Sequence, residues 1–381
     1  MPIPRLCLSL RIALLCGFAP FCGFVNAAAQ PVHVGAALTT DFAANTQGGL
    51  RIGGMSMDNL DLTADWRPAP GWEAFGYVLA DAHGGFSARY TGDAQTVSNI
   101  DAVPGTRLFE AWLRRTSGDG RHVTTFGLIN LNGLFDVQPT GSLFLNASPG
   151  IGPDYSQSHP SIFPVSALGV THEWRPGGGW QARLGLFDGE AGDPRNPAVF
   201  TSLSLSARQG YHVVAEVERD FDDGFVKAGV WGYNRGLARL DGSGDGPRRG
   251  GYVQLGRTFT QEAAHPDQGL AGWVRLGTAD GAVFPVQDYA GGGLVYTGLL
   301  PGCDQDRAGL AVYSARYGAG WRRVTPGARA AETTFEASYQ RLPRAGLLLQ
   351  PDVQYIRHPG AAAGVRDALV VILRVKLSTP D

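Results

Sequence analysis

Near the C-terminus, Phe335, Ala337 and Tyr339 alternate with Glu336, Ser338 and Gln340, and Leu349, Val353 and Tyr355 alternate with Gln350, Asp352 and Gln354. A period of two marks a strand with one apolar and one polar face. The pattern recurs upstream. In Arg107–Arg115 one parity reads Phe109, Ala111, Leu113 and the other Glu110, Trp112, Arg114. In Gly210–Arg219, Tyr211, Val213, Ala215 and Val217 oppose His212, Glu216 and Glu218. In Asp367–Leu377, Leu369, Val371, Leu373, Val375 and Leu377 oppose Arg374 and Lys376. Such stretches predict strands at Val32–Thr40, Asn59–Trp66, Trp72–Ala80, Arg107–Arg115, Arg121–Asn130, Val165–Trp174, Trp180–Phe187 and Gly210–Arg219. They continue at Gly224–Tyr233, Arg249–Thr258, Leu270–Gly277, Gly292–Gly298, Asp306–Ala315, Thr333–Arg341, Leu347–Ile356 and Asp367–Leu377. Sixteen strands at about 22 residues each, connection included, suit an antiparallel up-and-down barrel.

The connections sharpen that reading. Segments 67–71, 175–179, 219–224 and 341–346 are tight, whereas 81–106, 131–164, 188–209, 234–248 and 278–291 are long. Short turns on one rim and long loops on the other belong to a barrel that spans an outer membrane, and a two-sheet sandwich needs no such asymmetry. The polar parity carries full charges and amides. Sixteen strands enclose a lumen wide enough for water, so that parity faces inward and the apolar parity faces lipid. Trp66, Trp72, Trp174, Trp180, Tyr339 and Tyr355 lie near strand ends, where interfacial girdles sit. A large soluble β protein with ordinary core aromatics shares the alternation.

Composition agrees with an exported all-β chain. Arg5 and Arg11 precede an apolar run of residues 12–25 and then "NAAAQ", the form of a secretory signal peptide cut after Ala29. That run is shorter than the roughly 20 residues of a spanning helix. Cys7, Cys16 and Cys22 leave with it, so Cys303 alone remains and no internal disulfide can form. The formal net charge of −2 argues against a nucleic-acid partner. Glycine, 54 of 381 residues, is dispersed as turns and close backbone approaches require.

The stretch from Arg107 to Phe187 resembles the carbohydrate-selective porin (OprB-like) family of Gram-negative outer membranes. It carries "LFEAWL" (108–113), "FGLINLNGLFDV" (126–137), "LFLNASPGIGP" (143–153), "FPVSALGVTHEWRPGGGW" (163–180) and "QARLGLFDG" (181–189). Further matches are "GVWGYN" (229–234), "GGYVQLGRTF" (250–259) and "LLLQPDVQYIRHPG" (347–360). The resemblance implies a 16-stranded transmembrane channel in the outer membrane that lets glucose and related sugars diffuse into the periplasm. It also implies lipid around the barrel and barrel-assembly machinery during insertion, and a homotrimer is a common porin assembly. The last strand departs from the family, ending at Leu377 with a polar tail where an aromatic residue is usual.

A sugar channel needs aromatic faces for the apolar side of a pyranose and amides, acids and arginines for its hydroxyls. Segment 131–164 is too long and too apolar for a solvated tip and is the candidate constriction loop. It supplies Phe135, Phe144, Tyr155 and Phe163, with Asp136, Asn146 and Asp154 as hydroxyl partners. These aromatics could equally pin the loop to the wall. Residues of lumen parity form a second set: Glu110, Trp112, Arg114, Glu216, Glu218, Lys227, Trp231, Arg275, Gln350, Asp352 and Gln354. Most of these are expected to be solvated wall residues. No catalytic residue, cofactor or metal is expected: His172-Glu173 lacks a second histidine at zinc-protease spacing, and the glycine-rich stretches lack a phosphate-loop lysine. A porin for other small polar solutes, or a secreted carbohydrate-binding β protein, remains open on the residues alone.

Overall fold

The strands close on themselves. In the computed structural model, which describes residues 31–201, 203, 208–263 and 265–379, sixteen antiparallel strands follow one another in chain order. They are β1 (His33–Gly49), β2 (Gly53–Ala69), β3 (Trp72–Ala82), β4 (Gly105–Thr116), β5 (His122–Ile129), β6 (Ala167–Gly177), β7 (Trp180–Asp188) and β8 (Tyr211–Phe221). The second half comprises β9 (Gly224–Tyr233), β10 (Arg249–Thr258), β11 (Gly269–Ala279), β12 (Val286–Thr297), β13 (Arg307–Tyr317), β14 (Ala331–Arg344), β15 (Leu347–Arg357) and β16 (Arg366–Ser378). Pairing of β1 with β16, Thr40 opposite Val375, removes both sheet edges. The expected leader, 1–29, lies outside the described residues.

Exposure alternates as the sequence pattern requires, with the apolar parity outside. On β14, Phe335 is 45% exposed while its neighbour Glu336 is 2% exposed. Leu294, Val312, Val353 and Val371 are likewise exposed on successive parts of the wall, and Arg275, Thr334, Asp352 and Gln354 are buried inside it. A soluble barrel would show the reverse. Trp66, Trp174 and Trp180 are exposed on the rim of tight turns, and Tyr355 is exposed towards the other rim.

Three local features depart from the sequence reading. β1 and β2 run well past Thr40 and before Asn59, because small residues such as Ala43, Ala44 and Gly54 blur the alternation. β12 begins at Val286 inside a segment expected to be loop, its pattern masked by Gly291–Gly293. On β4 the register slips between Tyr77 and Val78, which face Glu110 and Leu108, so Phe109 is a bulge. A bulge turns the extra side chain. Phe109, assigned by parity to the lipid face, is therefore buried against Tyr77 and Phe163. The rims are also less uniform than expected, since connections 50–52 and 280–285 on the long-loop rim are short.

An arginine at Val371, near the middle of its strand and 43% exposed, should destabilise the bilayer-inserted barrel by about 2–4 kcal/mol. Urea unfolding in lipid vesicles, read by heat-modifiable gel mobility, measures this. An unchanged unfolding midpoint would place that face in water.

Candidate functional site: the filled lumen

Among the described residues, two long connections pack into the barrel, joined by the short 280–285 connection, whose Val283 and Phe284 are buried with them. The larger, 130–166 between β5 and β6, is held by one arginine. Arg275 on β11 reaches Asp136 through Nε (2.8 Å) and Nη2 (2.7 Å) and Asp154 through Nη1 (2.7 Å), all three groups wholly buried. A guanidinium fork suits this planar, multidentate recognition. Gly152 and Gly277 leave the space, since a Cβ at either would collide with the Asp154–Arg275 pair. Gln254 adds a donor to Asp136 Oδ1 at 2.5 Å.

Wall residues then take up the loop's backbone groups. Glu216 accepts from Asp136 N (2.9 Å), and Glu336 accepts from Leu145 N (2.6 Å) and Asn146 N (3.2 Å). Lys227 donates to Val137 O at 2.9 Å and Gln350 to Leu143 O at 2.5 Å, while Asn146 donates to Gln354 at 3.1 Å. Tyr155 stacks on Trp231 with centroids 4.6 Å apart and planes 7° apart. The second connection, 83–104 between β3 and β4, docks beside the first: Asn99 N donates to Leu145 O and Ala147 N to Thr96 O. Glu332 accepts from Ala94 N and Gln95 N, and Ser98 donates to Asp41.

This geometry sorts the residues anticipated from sequence. Glu216, Arg275, Gln350, Asp352 and Gln354 are buried, not solvated, because the inward loops cover them. Phe135, Phe144 and Tyr155 are fully packed, as are Asp136, Asn146 and Asp154, so their polar and aromatic groups hold the loops to the wall. Glu110, Trp112 and Arg114 stay half-buried on β4, where the inward loops leave open space beside the wall. Among the described residues, no group of three or more His, Cys, Asp or Glu is placed to hold a metal ion.

Open space lies along that side. One cavity of about 470 Å³, towards the long-loop rim, is lined by Tyr77, Phe109, Glu110, Asn130, Asn132 and Phe163 together with Gln95, Asn99 and Asp101. A second, about 480 Å³, lies towards the turn rim and is lined by Glu73, Arg114, Glu173, Arg175, Arg183, Glu218 and Lys227. Its charges are interlocked: Arg183 bridges Glu216 (2.6 Å) and Glu218, and Lys227 sits 3.2 Å from Glu218. Trp112 lies between the two spaces. Its Nε1 donates to Glu110 at 3.1 Å, Phe75 stacks on it at 5.1 Å, and the Arg114 guanidinium lies 4.3 Å from its ring centroid. Glu73 fixes Arg114 from across the strand pair at 3.2 Å. Sequence reasoning missed Tyr77, Glu73, Arg183 and the whole 83–104 loop, none of which stands out by motif or apolar run.

Removing Arg275 leaves two buried carboxylates uncompensated, a loss of about 3–5 kcal/mol. Arg275→Ala should free loop 130–166, raise single-channel conductance and expose the loop to protease, and a wild-type conductance would contradict this. Burial also pushes the Asp136 carboxyl up to about 6, against the opposing pull of Arg275. A carboxyl with a raised native pKa holds its proton more tightly in the docked state, so docking strengthens on acidification and weakens as pH rises through 6. Current fluctuations in planar bilayers should therefore diminish from pH 7 towards pH 4 in the wild type but not in Asp136→Asn, and equal pH dependence in both would contradict the assignment.

The carbohydrate-selective porin, OprB family, matches residues 63–378. No curated protein matches the sequence. The fold is similar to that of Pseudomonas putida OprB in its high-pH structure, with a TM-score of 0.81 at 17% identity over 91% of this chain and 94% of that one. The low-pH structure of the same protein gives a TM-score of 0.59 at 15% identity, over 91% and 92%. The outer-membrane channel DcaP of Acinetobacter baumannii gives 0.57 at 13% identity, over 91% and 97%. These likenesses share the closed barrel, and the family match spans strands, loops and lumen alike. The chain belongs to the OprB family of carbohydrate-selective porins, and family and fold together indicate an outer-membrane channel rather than an enzyme.

Proposed function

We propose that sugars, glucose among them, cross this barrel along the β3–β4 wall, passing from the loop-side cavity to the turn-side cavity beside Trp112, with segment 131–164 as the constriction. The observation that carries the reading is that Glu110 lines one cavity and Arg114 the other, four residues along one strand. That spacing is about 13 Å. An acid and a guanidinium flanking the passage give sugar hydroxyls both an acceptor and donors. Because Glu73 and Trp112 already hold Arg114, it pairs with a guest without first being ordered. The ion pairs lining the turn-side space, Glu73 with Arg114 and Glu218 with Arg183 and Lys227, present donors and acceptors with little net charge, which suits neutral, polar solutes. Weak binding keeps such a path conducting.

Delivery follows from the chain's two faces. The leader 1–29 exports it, barrel-assembly machinery inserts it, and lipid covers the outer parity.

Liposome swelling with glucose and with amino acids of similar size tests the route. Wild-type channels should favour glucose. Arg114→Ala should widen the passage but remove donors, raising amino-acid flux while the glucose preference falls several-fold. Trp112→Ala should act in the same direction by releasing Arg114. A glucose preference unchanged in both variants would exclude this wall as the path.

A further inference from the structure

Three aromatic rings meet in the loop-side cavity, and none has a role in holding the loops to the far wall. Tyr77 and Phe109 pack edge to face at 5.1 Å and 85°, and Phe109 and Phe163 at 6.2 Å and 77°. They come from three places. Tyr77 is an inward residue of β3, its hydroxyl held by Asp61 at 2.5 Å. Phe109 is delivered by the β4 bulge, and Phe163 comes from the returning arm of the 130–166 loop. The bulge brings Phe109 and Glu110 into the same cavity, although a regular strand would send them to opposite faces. The space therefore has an apolar corner beside an acid.

From this we infer that the half-buried rings of Phe163 and Tyr77, backed by the buried Phe109, form a stacking subsite for a pyranose ring, occupied before the sugar reaches Trp112. The inference rests on the sugar route proposed above. A pyranose has a C–H face and a rim of hydroxyls. The corner offers aromatic surface for the first, and Glu110, Asn99 and Asn130 surround the space to meet the second. The cavity, about 470 Å³, falls within the range of small-ligand sites. Trp112 cannot serve in the same manner, because Phe75 and Arg114 already engage its ring. An acyclic polyol has equal hydroxyl capacity but no rigid C–H face, so the subsite discriminates by ring, not by hydroxyl count.

Sugar block of the ion current through single channels in planar bilayers tests this with D-glucose and sorbitol as probes. Wild-type channels should half-block at a lower concentration of glucose than of sorbitol. Phe163→Leu and Tyr77→Leu keep bulk but lose the ring, and each should raise the glucose value by about tenfold while leaving sorbitol unchanged. Phe163→Tyr should retain the wild-type value, which separates loss of the ring from a misplaced loop. Glucose values within about twofold of wild type in both leucine variants, or an equal rise for sorbitol, would overturn the subsite. If liposome swelling still favours glucose in that case, the route stands and the stacking subsite alone fails. If wild-type swelling shows no glucose preference, it is the route that fails.

Discussion

Hydrocarbon offers no partner to a backbone N–H or C=O, so a sheet that enters it must close. Everything else in this protein follows from that closure. Pairing of β1 with β16 satisfies the last edge. Sixteen strands make the enclosed space too wide for their own side chains to fill. Lipid takes the apolar parity, which leaves the charged parity facing a volume that water or protein must occupy.

Here protein occupies much of it. Wall carboxylates and amides, solvated in an empty barrel, instead receive backbone groups of two inward loops, and Arg275 secures the larger loop through two acids. Buried polar groups of this kind persist only when satisfied, and most of these are. The anchoring runs around β8 to β16 and on to Asp41 of β1, and leaves open space beside Glu110 and Arg114 of β4. The route proposed for sugars is the part of the lumen that the loops do not fill. Its lining is held as firmly as the loops are: Tyr77 by Asp61, Trp112 by Phe75 and Glu110, Arg114 by Glu73.

The sequence made the strands legible because a period of two survives wherever side chains are large, as at Phe335 to Gln340. It failed where residues are small, at Ala43 and Ala44 or Gly291–Gly293, and where one extra residue shifts parity, at Phe109. The apolar content of 131–164 signalled that this segment leaves water. Segment 83–104 carries no such signal, and its docking depends on backbone groups meeting Glu332 more than 200 positions away. The partners of Arg275 are separated from it by 139 and 121 positions, a pairing that no local pattern encodes. Parity could nominate these residues for the lumen but could not say whether water or a loop would cover them.

The inside-out sheet is the claim on which the channel rests, and spin labels placed one at a time along Leu369–Leu377 in lipid vesicles test it most directly. Collisions with oxygen, which concentrates in lipid, should peak at Leu369, Val371, Leu373 and Val375. Collisions with a water-soluble nickel chelate should not peak at those positions. Oxygen maxima at Val370, Ile372 and Arg374 instead, or no alternation at all, would contradict the account.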